Sequence, residues 1–292
     1  MSAPTEDRLR VPGASLYYTV RGAGPLVLIL PGGDGDADAS DTLAAQLVDH
    51  YTVVTYDRRG LSRSMLDAGT PPPLLETHSD DAHRLLAALT SEPASVLGYS
   101  IGALIGLDLV ARHPEQVGTL IAHEPPAPQV LPVAERAAAA AVRAQEAVEE
   151  VYQREGVAAA MQMFLTTLAR VTFDDREPEV VLPRPTPQRT ANLTFFLTHD
   201  APAVRRYTLD MAALRMTRTR LVLAGGRTSR EGWPFHAAAA LADQLGAAFV
   251  EFPGGHNGAI LHPRAFAARA RAVLNGLPGV TRAHNGAGLP DG

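Results

Sequence analysis

The chain has 292 residues, 46% hydrophobic and 20% charged, with a formal net charge of −5 at pH 7; that suits one large α/β domain or a domain with an insertion. The acidic balance gives the molecule as a whole no attraction to nucleic acid or to an anionic membrane. There is no cysteine, which excludes disulfides, a thiol nucleophile and thiolate metal sites.

The opening segment, MSAPTEDRLR, is polar and has no apolar core of a secretory signal. No apolar run approaches the ~18 residues of a membrane span, so a soluble, cytoplasmic protein without a membrane partner is expected. In chain order, strand-like stretches at 16–20 and 26–30 lead into a glycine turn, Leu30-Pro31-Gly32-Gly33-Asp34-Gly35. A helical pattern at 40–49 precedes a strand at 51–56, a helix at 77–89 and a strand at 94–97. Several strands are short continuous apolar runs, as in a parallel sheet buried on both faces.

The strand at 94–97 runs into Gly98-Tyr99-Ser100-Ile101-Gly102, and residues 101–112 have helical spacing until His113-Pro114 stops them. Strand, tight turn and helix form the setting in which G-x-S-x-G marks a nucleophile elbow. The backbone there bends so sharply that the serine hydroxyl stands above the carboxyl ends of the sheet. A side chain at Gly98 or Gly102 would strike the neighbouring strand or helix.

A strand at 117–122 ends near Glu124, and the alternation then stops. Residues 125–216 read as a mostly helical lid, with helices at 132–154 and 157–170 followed by Pro- and Arg-rich loops. Alternation resumes with a strand at 220–224, a helix at 234–245, a strand at 247–252 and a helix at 263–274, which implies a parallel sheet with crossover helices. The expected units are an α/β core of 1–124 and 217–276, the lid at 125–216, and a disordered tail at 277–292.

A serine hydroxyl needs a base, and the base needs an orienting acid. The best-placed base is His256, in Pro253-Gly254-Gly255-His256-Asn257-Gly258, directly after the last strand. His50, His78, His83, His113 and His262 sit in or beside helices and read as surface or packing residues. An oxyanion hole would use two backbone N–H groups. One belongs to Ile101, after the nucleophile, and the other to Gly33, after the second strand.

The ordered set of PGG, Asp57-Arg58-Arg59-Gly60-Leu61-Ser62-Arg63-Ser64, GYSIG and GGHNG resembles the α/β-hydrolase fold family, in particular single-domain actinobacterial hydrolases with a helical lid. The resemblance runs from about Leu16 to Leu274. It implies a mostly parallel eight-stranded sheet flanked by helices, the chain order nucleophile, acid, histidine, and a bracing role for the DRRG segment. A serine in the elbow argues against haloalkane dehalogenases and epoxide hydrolases, where an aspartate stands there.

The chain departs from the family in two loops: Pro31-Gly32 stands where the family often carries His-Gly, a change the backbone donor can survive, and the acid loop differs more seriously. Relatives usually carry the acid after the next-to-last strand, in a form like G-G-x-D-S, whereas this chain reads Gly225-Gly226-Arg227-Thr228-Ser229-Arg230. Threonine cannot stabilise an imidazolium. Glu124, in Ala122-His123-Glu124-Pro125-Pro126, is the obvious replacement, since that strand neighbours the nucleophile strand in the family's order. Glu231 is a second candidate, and loss of the acid a third.

Trp233, Phe196 and Asp34 are candidate substrate contacts, although the apolar residues at 161–168 and 195–197 fit ordinary helix packing as well. The expected activity is metal- and cofactor-independent hydrolysis of a small to medium, fairly apolar ester, thioester or lactone through Ser100, His256 and Glu124. Carbon–carbon bond hydrolysis by the same residues, or a ligand-binding or lyase-like protein whose acid has decayed, are the alternatives. The expected partner is a small-molecule substrate, with no nucleic acid; a homodimer is left open.

Overall fold

A computed structural model of the protein describes residues 4–33, 35–131, 135–168, 173–182, 184 and 186–276. Asp34 and the expected tail at 277–292 lie outside the described residues. The strands are β1 (Thr5–Val11), β2 (Ala14–Arg21), β3 (Leu26–Leu30), β4 (Thr52–Tyr56), the two-residue β5 (Met65–Leu66), β6 (Ala94–Tyr99), β7 (Val117–His123), β8 (Arg220–Gly226) and β9 (Ala248–Phe252). They form one sheet in the order β1-β2-β4-β3-β6-β7-β8-β9, with β5 paired to β2. From β4 to β9 every pairing along that path is parallel, and the β1–β2 and β2–β4 pairings are antiparallel. The eight-strand path matches the expected mostly parallel sheet.

The continuous apolar runs explain the layering. In β3, Leu28 and Leu30 enter one core while Val27 and Ile29 enter the other. In β8, Leu221 and Leu223 divide in the same way from Val222 and Ala224. Successive side chains point to opposite faces, so a strand apolar at every position is stable only with helices on both sides. On the first face lie α2 (Leu75–Leu89), with Leu85 and Leu86, α3 (Ile101–Arg112), with Leu104 and Leu107, and α9 (Trp233–Leu245), with Leu241. The other face is covered by α1 (Asp41–Ala45), with Leu43, and α11 (Pro263–Leu274), with Phe266 and Ala270.

Three expectations need correction. The polar opening, for which no strand was expected, forms β1, paired along its whole length with β2 from Thr5↔Val20 to Val11↔Ala14. Its TEDRLRV sequence is mostly exposed, and charged residues on an edge strand discourage pairing with other chains; such a strand has no apolar run to announce it. The helix expected at 40–49 is a 3-10 turn at Asp38–Ser40 followed by the short α1.

The third correction lies between β7 and β8. That region contains α4 (Glu135–Glu155) and α5 (Val157–Met163), the latter continuing as a π-turn at Phe164–Leu168. The stretch read as loops holds α6 (Pro187–Phe195), a second π-turn at Phe196–Asp200, α7 (Ala201–Arg206) and α8 (Met211–Met216). Pro187 occupies the first turn, where its missing N–H costs nothing, and the Thr186 hydroxyl caps the Arg189 N–H at 3.1 Å. Pro202 cannot donate to an α-helical ladder, and the wider π-turn directly precedes it. The remaining helix is α10 (Gly258–Leu261). No described helix is long and apolar enough to cross a membrane.

Candidate active site

The parallel strands deliver their carboxyl ends to one rim, where ligands bind in open α/β sheets. Ser100 follows β6 and Glu124 follows β7, and these strands pair with Tyr99 opposite His123. The two residues are therefore side by side. Each has a positive φ, 55° at Ser100 and 47° at Glu124, a conformation unfavourable for side-chain-bearing residues. Backbone bonds hold both in place: Ser100 N–H donates to His123 O at 2.9 Å and Glu124 N–H to Ala224 O at 2.9 Å. The elbow packs tightly enough that a Cβ on Gly102 would lie 2.0 Å from the Leu30 carbonyl oxygen.

His256 is carried by the loop after β9. Its Nε2 lies 3.1 Å from Ser100 Oγ, and its Nδ1 lies 2.7 Å from Glu124 Oε2. A Cβ on Gly226 would sit 2.5 Å from Gly255 Cα, so the bare glycine lets the histidine loop close against the end of β8. Glu124 is fully buried and His256 nearly so. With Nδ1 protonated and held by the carboxylate, Nε2 has its lone pair free for the Ser100 hydroxyl.

The other oxygen of Glu124 is also satisfied. Oε1 accepts hydrogen bonds from the Gly226 N–H at 2.8 Å and from the Ser229 hydroxyl. Burial pushes the Glu124 carboxyl pKa up, but the His256 hydrogen bond, the His123 and His256 rings and the Ser229 hydroxyl outweigh it and leave the pKa below its ordinary value. Thr228, where relatives carry the acid, is exposed, whereas its neighbour Ser229 is buried on Glu124. Ser229 and Gly226 escaped sequence reasoning, because they act only through a carboxylate over 100 positions earlier.

Ser229→Ala removes a charge-assisted hydrogen bond worth about 1.5–3 kcal/mol. We expect a fall in turnover of about tenfold to a hundredfold. The acid limb of the pH–rate profile should move to higher pH, because one of the groups lowering the Glu124 pKa is gone.

His123 lies beneath this assembly, fully buried, edge-on to the Phe252 and Phe266 rings at 6.0 and 5.2 Å. Burial pushes its pKa down from 6.5 to about 4. In the unfolded chain the ring protonates near its ordinary pKa, so its contribution to stability is complete above about pH 6.5 and is lost as the pH falls towards 4. The loss is on the order of 3 kcal/mol. His123→Phe should flatten the dependence of unfolding free energy on pH across that interval, as measured by urea titrations.

Two cavities meet at Ser100 and His256. One, of about 710 Å³ counting the part open to solvent, is lined by Ile101, Val148, Leu197, Val204 and Trp233. The second, of about 920 Å³ on the same basis, is lined by Gly32, Gly33, Tyr99, Met161, Leu193 and Ile260. Phe164 and Phe196 line both, edge to face at 6.2 Å. Each is the first residue of a π-turn, a feature frequent at functional sites. Of the candidate substrate contacts, Trp233 and Phe196 line these cavities, while Asp34 lies outside the described residues. Glu231 is exposed, and the carboxylate on His256 Nδ1 is that of Glu124. Among the described hydrogen bonds none uses the N–H of Gly33 or Ile101, the two expected oxyanion donors.

The DRRG segment behaves as a brace. Asp57 accepts the Ala37 N–H at 2.8 Å and binds Arg63, and Arg59 makes a buried two-point ion pair with Asp81.

Sheet order, elbow and histidine loop together define an α/β hydrolase, and a family model for the alpha/beta hydrolase fold matches residues 25–176. The chain belongs to that family. It is 41% identical over 270 residues to an uncharacterized hydrolase, YraK, of Bacillus subtilis, a match covering 91% of this chain and 94% of that one. It is 32% identical over 121 residues to the human serine hydrolase BPHL, covering 40% of this chain and 42% of that one. Among solved structures, the enol-lactonase of Burkholderia xenovorans superposes with a TM-score of 0.70 over 92% of this chain and all of that one, at 20% identity.

Proposed function

We propose that the protein is a serine hydrolase of small to medium, fairly apolar esters, thioesters or lactones. The observation that carries this reading is the continuous relay from Ser100 Oγ through His256 to the buried Glu124, at 3.1 and 2.7 Å. Ser100 Oγ attacks the acyl carbon while His256 Nε2 takes its proton. The bond to the leaving group breaks as His256 returns that proton to the leaving oxygen or sulfur. Water, deprotonated by His256, then releases the acid and restores the serine. Glu124 holds the Nδ1 proton and stabilises the imidazolium, and the Gly33 and Ile101 N–H groups bind the oxyanion.

The apolar cavities favour a substrate with apolar groups on either side of the scissile carbonyl, and the helices between β7 and β8 serve as the lid. The enol-lactonase and serine-hydrolase relatives are consistent with acyl transfer. A carboxylate already seated on His256 speaks against a binding protein that has lost its acid. The test is a panel of activated esters, thioesters and lactones in chelator-containing buffer, with the acyl-enzyme trapped by rapid acid quench and located by mass spectrometry. Acylation at Ser100 is expected; turnover with no acyl adduct at that residue would overturn the reading.

A further inference from the structure

Among the described residues Arg58 is the largest fully buried side chain, and its partners link two distant parts of the fold. Its guanidinium donates to the carbonyls of Pro31 at 3.2 Å, Gly32 at 2.6 Å and Gly33 at 2.8 Å. It also donates to Asp200 Oδ2 at 2.8 Å, and Asp200 Oδ1 is 3.0 Å from His78 Nε2. Arg58, Asp200 and His78 are all at most 1% exposed. His78 is thus part of a polar network, beyond the packing role expected of it.

In a planar trans peptide the C=O and the following N–H point in opposite directions. Fixing the Gly32 carbonyl on Arg58 therefore fixes the direction of the Gly33 N–H, the proposed oxyanion donor, on the far side of the same peptide. The π-turn that ends in Asp200 begins with Phe196, whose ring lies 3.0 Å from the position of a Cβ on Gly33. One five-residue turn of the inserted region thus contacts the oxyanion loop directly through Phe196 and holds it through Arg58.

We infer that Asp200 and Arg58 are positioning residues that set the oxyanion donor at Gly33, so that the inserted region completes the catalytic site as well as covering it. This rests on the serine-hydrolase reading. A buried carboxylate whose work was only to neutralise Arg58 would affect how much protein folds, without changing what each folded site does. A carboxylate that sets the donor acts on the transition state, since the oxyanion forms only there.

The test uses Asp200→Asn and Arg58→Lys. The second keeps a buried positive charge opposite Asp200 but replaces the fork that spans several carbonyls by a single ammonium. Both are compared with wild type for kcat per reactive serine, counted by fluorophosphonate titration, for KM, and for affinity towards a trifluoromethyl ketone that mimics the oxyanion. Each is expected to lose about 10²–10³ in kcat, the cost of a missing oxyanion donor. Ketone affinity should fall with kcat/KM, KM should stay within about threefold, and the shape of the pH profile should be unchanged. A folded variant that keeps kcat per reactive serine, or loses it with full ketone affinity, overturns the inference. Failure of both variants to fold assigns the network to stability and overturns it too. A wild type that neither turns over the esters nor binds the ketone overturns the hydrolase reading instead, and the positioning role with it.

Discussion

Replacing Ser100 with alanine is expected to lower turnover of an activated ester by a factor on the order of 10⁶, as removal of a triad serine does elsewhere. The described contact of the hydroxyl is His256 Nε2, at 3.1 Å, so its loss removes the nucleophile and little packing. Ester binding and the melting temperature should stay close to wild type. The residual rate, on the order of 10³–10⁴ above water, would come from the oxyanion donors and binding alone. Steady-state kinetics with a p-nitrophenyl ester, beside a thermal melt, makes the measurement. A variant retaining more than about one hundredth of the rate would place the nucleophile elsewhere.

Glu124→Gln is expected to cost on the order of 10⁴ in turnover. The amide can still accept from Gly226 N–H and Ser229 through its oxygen, which turns its NH₂ towards His256 Nδ1, now the wrong partner for a protonated nitrogen. The imidazole is then driven to the tautomer with Nε2 protonated, which cannot accept the serine proton. Because the loss arises in the transition state, it should appear in kcat with KM little changed. Full activity in this variant would reduce the relay to Ser100 and His256 alone.

Much of the site was legible in the sequence because glycine and strand context marks it. Ser100 stands between two glycines at a strand-to-helix change, His256 follows Gly254-Gly255, and Glu124 ends an apolar run. These are local signals. The brace was only half legible: Arg58 lies in the DRRG segment expected to brace the rim, but its partner Asp200 is 142 positions away, and nothing near Asp200 in sequence distinguishes it from a surface acid. The central strands were legible for the same local reason, short apolar runs such as Leu26–Leu30 and Leu221–Ala224. The edge strand β1 was not, because its stability comes from backbone pairing with β2 and not from burial. Helices α6 and α7 were hidden by Pro187 and Pro202, although Thr186-Pro187 is a capped helix start that could have been read as one.

The order of the parts along the chain has a consequence for synthesis. Ser100, Glu124, Ile101 and Gly33 all precede the inserted region, while His256 comes 156 positions after Ser100. At ribosomal speeds of about 5–20 residues per second, the nascent chain carries its serine and its carboxylate for several seconds or more before the histidine exists. On the proposed mechanism, that growing polypeptide carries a nucleophile without its base. The relay would be complete only once β9 pairs with β8, from Val222↔Ala248 to Gly226↔Phe252, so a chain released before that point would turn over no ester.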